Sequence, residues 1–545
     1  MKKARVYITR FYERLALGTK AERRFYTVAF FCVSLYLTSV ISSQLFLSHQ
    51  RLDPSLAFVF PLVALSFFCI SLFLAKKDML CEDVRGKNRC YIFAVIVFLL
   101  TFALLSAWQR ALYPGSFSPD SFEQYKQAFS GEYNDWHPAL HTWLFFSFPM
   151  LFSESPAVIV CFQLIWFALA TGYLFYVMYS EGCPLPFLAF SFVFMTANPN
   201  TALIMLYPWK DSAFTILATV CFAQLVRIYR SDGEWLFKIQ NVIAFAFFCF
   251  LATSVRHNAV LLTLPLFAVV FVFFKNARKK TALAFGLFLA MLLVLRLPIY
   301  SLADVDSPKH RTTETMGLPM TVLADVYMND REAMSDDALR FMDSLATQEN
   351  WEKHYSFGGF NSFKWSDGTI YDKIDQEGPA KILGYAFESA NASPEIAKRS
   401  VLTLTKMVWG MDYGNGWNIG YGISGNDIGI KKEYDAESVE RINAYRGAVN
   451  GSSLKYLFNY IGVIISCLLV ASVSKIGRGG IKRFFAIIPL LIYNFGTMLL
   501  LTGHDFRFFH LNFVLAVPLI FILFSYLRDH DGCFKSYSKT GGPIC

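Results

Sequence analysis

The stretch Ala139–Phe152, ALHTWLFFSFPMLF, decides how this chain is threaded through a membrane. Counted as a crossing, it reverses every later helix and sends the basic loops outside. Counted as an interfacial or re-entrant segment, it keeps them all inside. Its 14 residues fall short of the roughly 20 that a helix needs to cross a bilayer. His141 and Pro149 within it also suit a lipid-exposed span poorly. We read it as part of a membrane-hugging outer loop, the alternative being a short, tilted thirteenth span.

Composition sets the class around that stretch. Apolar residues make up 55% of the chain, and Phe occurs 56 times in 545 residues. Mean hydropathy is +0.39, which excludes an ordinary soluble protein. Apolar runs of near-bilayer length lie at 26–47, 55–75, 91–112, 157–178, 185–206, 212–229, 239–254, 258–274, 281–300, 455–474, 483–502 and 508–527. The expectation is an all-α polytopic membrane protein with about twelve spans.

Lys and Arg collect in alternate loops. They crowd the N-terminus up to Arg24, then recur at Lys76 and Lys77, Arg85–Arg89, Arg227 and Arg230, Lys275–Lys280, Lys475–Lys482, and Arg528 and Lys535. The positive-inside rule puts all of these, with both termini, in the cytoplasm. The basic N-region and long first apolar run predict a retained first helix in place of a cleavable signal. Three regions follow: a transmembrane module over 1–300 with an outer loop at 113–156, an extracytoplasmic α or α+β segment over 301–453, and C-terminal helices with a cytoplasmic tail over 454–545. The 301–453 segment holds 23 acidic and 15 basic side chains, a net −8 in a chain whose total is +9. The basic balance therefore reports topology and gives no sign of nucleic-acid binding. None of the 11 Cys falls in 301–453, which excludes a disulfide framework there. Its segments REAMSDDALRFMDSLA and DAESVERINAYRGAV read as helices. Trp351, Tyr355, Phe360, Trp365 and Trp417 read chiefly as core or interface residues, with sugar stacking as the sharper alternative.

In this threading six ionisable clusters share the outer side. They are Asp120, Asp135 with His137, Lys210 with Asp211, Arg256 with His257, the acidic segment after Ser301, and Asp505 with Arg507. Charge at membrane depth is costly, so a convergent set marks a candidate functional site. Ser118 reads as an N-cap, Pro119 as the first helical residue and Gly131 as the terminator, with Phe122, Tyr125 and Phe129 on one face. Asp120 then lies in the first turn, where complementing the helix dipole is its plainer role.

Asp120 in SPDS, the His137–Pro138 step in DWHPAL and Asp211 in NPNTALIMLYPWKDSAF together resemble the GT-C superfamily of integral-membrane glycosyltransferases. That superfamily includes protein O-mannosyltransferases and aminoarabinose transferases. The resemblance covers roughly 90–270, extends loosely to TGHDFRFFHLNFVLAVP, and is nearest to a bacterial branch of the superfamily. It implies transfer of a sugar from a polyprenyl-phosphate donor, on the outer face, to a cell-envelope glycan, lipid or protein. It also implies catalytic carboxylates at Asp120 and Asp211; Asp135, the second acidic group of the outer loop beside His137, is a third catalytic candidate. Such chemistry needs a base for the acceptor hydroxyl and cations for the leaving phosphate. Asp120 is the candidate base. His137, Lys210, Arg256, His257, Asp505 and Arg507 are candidate substrate contacts, the arginines as bidentate phosphate ligands; interfacial anchoring is the plainer role of each cation.

The chain departs from the pattern in two ways. Ser121 follows Asp120 where many relatives have a second acid, which favours a base over a metal-bridging carboxylate. Two spans, not one, precede the span that feeds this loop. His137 and His257 lack a recognisable ligand spacing, and a divalent metal is left open. Competing functions are a transporter or flippase of lipid-linked saccharides, which would favour mid-membrane polar groups and paired half-helices, and a non-catalytic envelope-assembly protein on the same fold.

Overall fold

Apolar runs without access to water must close their backbone hydrogen bonds internally, and here they do so as helices. The computed structural model describes residues 17–43, 56–79, 85–307, 311–364, 371–411, 419–500 and 505–525. It also describes the single positions 13, 15, 81 and 366 and two short strands at 536–537 and 543–544. The N-terminal basic cluster before Glu13, Trp365, Trp417, Arg528 and Lys535 lie outside the described residues.

Among the described residues eight helices are long and apolar enough to cross a membrane: Lys20–Ile41, Phe58–Ala75, Lys87–Ala111, Pro156–Ser180, Lys210–Arg230, Lys275–Leu302, Ile481–Leu500 and Phe506–Phe524. The chain is therefore an all-α polytopic membrane protein. The other four expected spans are also helical but depart from full-length rods. The run 185–206 breaks into Leu185–Thr196 and Pro199–Met205, bent by 60°. Pro199 lacks an amide to continue the ladder, and the Asn198 side chain caps the second piece by accepting from Asn200 N at 2.9 Å. Ile239–Ser254, His257–Phe273 and Ile461–Ser474 are apolar but shorter. The last is severed from Leu454–Phe458 at Asn459 and Tyr460, where Asn459 turns aside to accept from Asn200 Nδ2 at 3.0 Å.

The deciding stretch forms a continuous helical segment over Ala139–Thr142, Trp143–Ser147 and Phe148–Met150. Twelve residues reach about 18 Å at a rise of ~1.5 Å each, against a hydrocarbon core of ~30 Å. The middle piece is a widened π turn just ahead of Pro149, whose ring nitrogen cannot donate to the ladder. His141, Thr142, Phe145 and Phe146 are buried beneath it, while Phe148, Leu151 and Phe152 are exposed. It is thus a one-sided segment, shorter than the eight helices long and apolar enough to cross.

Lys210–Arg230 is the central helix, with 94% of its apolar window buried. Pro156–Ser180, Ile239–Ser254 and Leu511–Phe524 pack around it. Lys87–Ala111 lies along Pro156–Ser180 at a close approach, since a Cβ on Gly172 would meet Ala94 O at 3.1 Å. Charge separates to the two ends of this bundle. At the Arg230 end Arg227 pairs with Glu181 at 2.8 Å, Lys475 with Asp78 at 3.0 Å, and Lys482 with Asp232. The Lys210 end, about 30 Å away along the 21-residue central helix, carries the candidate site.

The expected helices in 301–453 are present, Asp336–Leu345 and Ala436–Gly451, the latter capped by Asp435, which accepts from Ser438 N at 2.9 Å. Between Gly317 and Thr405 short helices enclose a separate core that includes Met320, Leu323, Phe341, Met342, Trp351 and Phe360. Trp351 stacks on Phe363 with ring centres 3.5 Å apart, and Tyr355 donates to the buried Asp325 at 2.8 Å. These aromatics are core residues. Among the described residues, extended structure in this region is confined to docking strips that hold the 112–135 loop. Leu112–Tyr113 pairs antiparallel with Glu433–Tyr434, Phe117 bridges Ile423, and Asn134 bridges Asp306. Gly115, at φ +140, is needed where a Cβ would meet Val160 at 2.7 Å.

Candidate functional site

The 115–143 loop folds as its sequence predicts. The helix Pro119–Ser130 starts at Ser118 and ends at Gly131, whose φ of +77 lets its N–H reach Gln127 O at 2.9 Å. Phe122 is buried and Tyr125 half-buried, donating its hydroxyl to Glu154 O at 2.8 Å. Phe129, expected on the same face, is exposed; the buried face is instead Ser121, Phe122, Gln124 and Gln127. The Ser118 hydroxyl accepts from Trp209 Nε1 at 2.7 Å. That bond fixes the start of the Asp120 helix to the start of the central helix.

Asp120 is thereby brought against the end of the chain. Arg507 Nη1 donates to Asp120 Oδ2 at 2.9 Å, and Arg507 Nε lies 3.0 Å from Asp505 and 3.8 Å from Asp211. Its guanidinium sits 4.9 Å from the Trp209 ring, which is itself stacked on Tyr207 at 3.9 Å. Burial raises the Asp120 pKa, but Arg507, with His137 and Lys210 near, outweighs it and holds the carboxyl down at about 2. Behind this group Asp211 and Arg256 form an ion pair whose side chains are 1% and 5% exposed. Arg256 also packs 4.9 Å from the Phe508 ring and donates to Asn258. Its charge is committed to Asp211, which makes this pair the floor of the site.

A second cluster adjoins the first through Lys210. Lys210 Nζ lies 3.3 Å from His137 Nδ1, and among the described residues no carboxylate is within ion-pairing distance of it. Burial, then Lys210, hold His137 well below its ordinary pKa, so its neutral ring accepts from the ammonium. Asp135 is 4% exposed and pairs with Arg296, and its Oδ1 accepts from Ala139 N at 3.3 Å, capping the membrane-hugging segment. His257 Nε2 donates to Asp135 O at 2.9 Å, which leaves Nδ1 free to accept from Arg296 Nη2 at 3.5 Å. The segment after Ser301 also arrives here: Asp135 N donates to Asp306 O, and Asp306 N to Tyr133 O, both at 2.9 Å. Beneath Asp120, Gln124 donates to His141 Nδ1 at 2.6 Å and to Thr142 at 3.1 Å. Burial pushes His141 down to about 3.

Every candidate site residue named from the sequence thus lies in one of two contiguous clusters. Their assignments differ from what local pattern suggests. Asp211 and Arg256 neutralise each other in the interior, and Asp135 is tied to Arg296 and to a helix start. Asp120, Asp505 and Arg507 keep partly exposed side chains, at 31%, 43% and 19%. Sequence reading missed Arg296, although a lone charge within the apolar run 281–300 was the available signal. It also missed Trp209, whose bond to Ser118 no local pattern announces. Among the described residues no group of three or more His, Cys, Asp or Glu is arranged to hold a metal ion.

Comparison with protein-family models, curated proteins and solved structures finds no match to this chain.

Proposed function

We propose that this protein is a GT-C-type membrane glycosyltransferase that moves a sugar from a polyprenyl-phosphate donor to a cell-envelope acceptor on the outer face of the membrane. One observation carries the reading. A first-turn carboxylate on a surface helix, Asp120, meets Arg507 across 387 residues of chain, with Lys210 alongside. A base and cations side by side at span ends are what glycosyl transfer from a lipid phosphate requires. In this scheme the acceptor hydroxyl attacks the anomeric carbon and its proton passes to Asp120. The bond from that carbon to the phosphate oxygen breaks, and the phosphate leaves with the electron pair. Lys210, whose Nζ lies 3.3 Å from His137 Nδ1, stabilises the phosphate together with Arg507.

The orientation belongs to the same proposal. Twelve membrane segments, counting the broken and shorter helices, put the basic Arg230 end in the cytoplasm and the Asp120 end outside. A flippase would favour charge near mid-membrane, whereas these groups collect at one end of the central helix.

Lipid-linked glycan analysis of a deletion strain tests the function. Accumulation of a polyprenyl-phosphate monosaccharide is expected. Accumulation of a longer, inner-leaflet oligosaccharide would replace this reading with transport.

A further inference from the structure

Arg296 is the one charge in the apolar run 281–300, and it behaves unlike a membrane anchor. An anchoring arginine extends to the headgroups. This one turns inward to Asp135 and His257, and its guanidinium lies 5.0 Å from the Tyr300 ring. Its depth is informative. From Arg278 at the basic end, eighteen residues of helix rise about 27 Å to Arg296, close to the ~30 Å of a hydrocarbon core. Arg296 therefore stands at the outer headgroup level, with a side chain 34% exposed.

The same helix supplies an apolar approach. Leu289 and Leu293, seven and three residues earlier and so on the same face, are both exposed. A prenyl chain lying along that ridge brings its phosphate to Arg296. His257, also exposed, sits beside it, and Lys210 meets His137, two residues along the same turn from Asp135, at 3.3 Å. Asp135 can release Arg296 without being left bare, because its Oδ1 already accepts from Ala139 N.

We propose that Arg296 and His257 form the portal for the phosphate group of a polyprenyl-phosphate lipid, which displaces Asp135 from Arg296 on its way to Lys210 and His137. The portal rests on the transferase reading and adds to it a path from the bilayer.

The test is binding of a sugar-free polyprenyl monophosphate to the purified full chain in zwitterionic nanodiscs, read by native mass spectrometry. Inorganic phosphate and phosphatidylglycerol serve as competitors. Wild type should hold the lipid, and neither competitor should displace it. Arg296→Gln should weaken binding by about tenfold or more, the scale of one charge-assisted contact. The double variant Arg296→Gln with Asp135→Asn, which leaves no unpaired carboxylate, should be weakened alike. Wild-type affinity in both variants overturns the portal and leaves the transferase reading standing. Equal displacement by phosphatidylglycerol, or by inorganic phosphate, overturns it in favour of a general headgroup site or a free-phosphate site. A wild type that binds through Arg296 but transfers no sugar would instead remove the transferase reading.

Discussion

Arg507 Nη1 donates to Asp120 Oδ2 at 2.9 Å, so the proposed base and the strongest nearby cation occupy each other. Despite its burial, the Asp120 carboxyl is held down at about 2 chiefly by Arg507, with Lys210 near, far from the neutral value that suits a base. A phosphate that draws Arg507 away would raise its basicity as substrate arrives. Asp120→Asn should insert and fold normally, because Asn is tolerated in a first turn, yet transfer about 10²-fold more slowly. Near-normal turnover would return Asp120 to a purely capping role.

The same ion pair makes a pH prediction. With Asp120 at about 2, kcat/KM should show no acid limb from this group down to about pH 4. In Arg507→Gln the carboxyl loses its main partner, and an acid limb should appear at higher pH. Superimposable profiles for the two proteins would separate Asp120 from the chemistry.

Asp211 and Arg256 should behave as a structural unit. Removing one partner of a buried ion pair costs about 3–5 kcal/mol, whereas replacing both is far milder. Asp211→Asn and Arg256→Gln should each lower the yield of folded protein, and the double variant should recover much of it. Fluorescence-detected size exclusion measures this directly. Well-folded single variants with selectively lost donor binding would make Arg256 a phosphate ligand after all.

His137 and His141 set a stability window. Burial holds both below their ordinary value, His141 at about 3. Below about pH 6.5 the unfolded chain binds protons that the folded one refuses. Their contribution is therefore complete above that pH and is lost as pH falls, for His141 toward about 3. Melting temperature in detergent should drop between pH 7 and 5, less steeply in His141→Gln. An unchanged slope in that variant would show that His141 takes no part.

The sequence and the structure agree most where the signal is local. Ser118, Pro119 and Gly131 delimit their helix because caps and terminators act over one turn, and the charged span ends gather because lipid excludes them elsewhere. Pairing was not legible in the same way. Arg256 reads as a phosphate ligand or an interfacial anchor until Asp211 is seen against it. Asn198 and Asn200 look like part of a motif, yet their side chains cap a broken helix and tie it to Phe458 and Ile419. Those choices depend on contacts between distant stretches of chain, which hydropathy and spacing do not encode.

Orientation can be checked without any substrate. Cysteines placed at the exposed Glu132 and Asp427 should react with an impermeant reagent from outside intact cells, and those at the exposed Lys77 and Arg278 should not. Labelling at Arg278 from outside would invert the threading and move the whole site to the cytoplasm.

The most direct measurement of the central claim is bond cleavage by the purified protein. Reconstituted into vesicles with lipid-linked sugars extracted from its own host membranes and an envelope acceptor fraction, the wild type should release free polyprenyl phosphate in step with sugar appearing on acceptor. Asp120→Asn should release it about 10²-fold more slowly. Movement of the intact lipid-linked sugar across the bilayer without release of polyprenyl phosphate, or equal release by the Asn variant, would contradict the account.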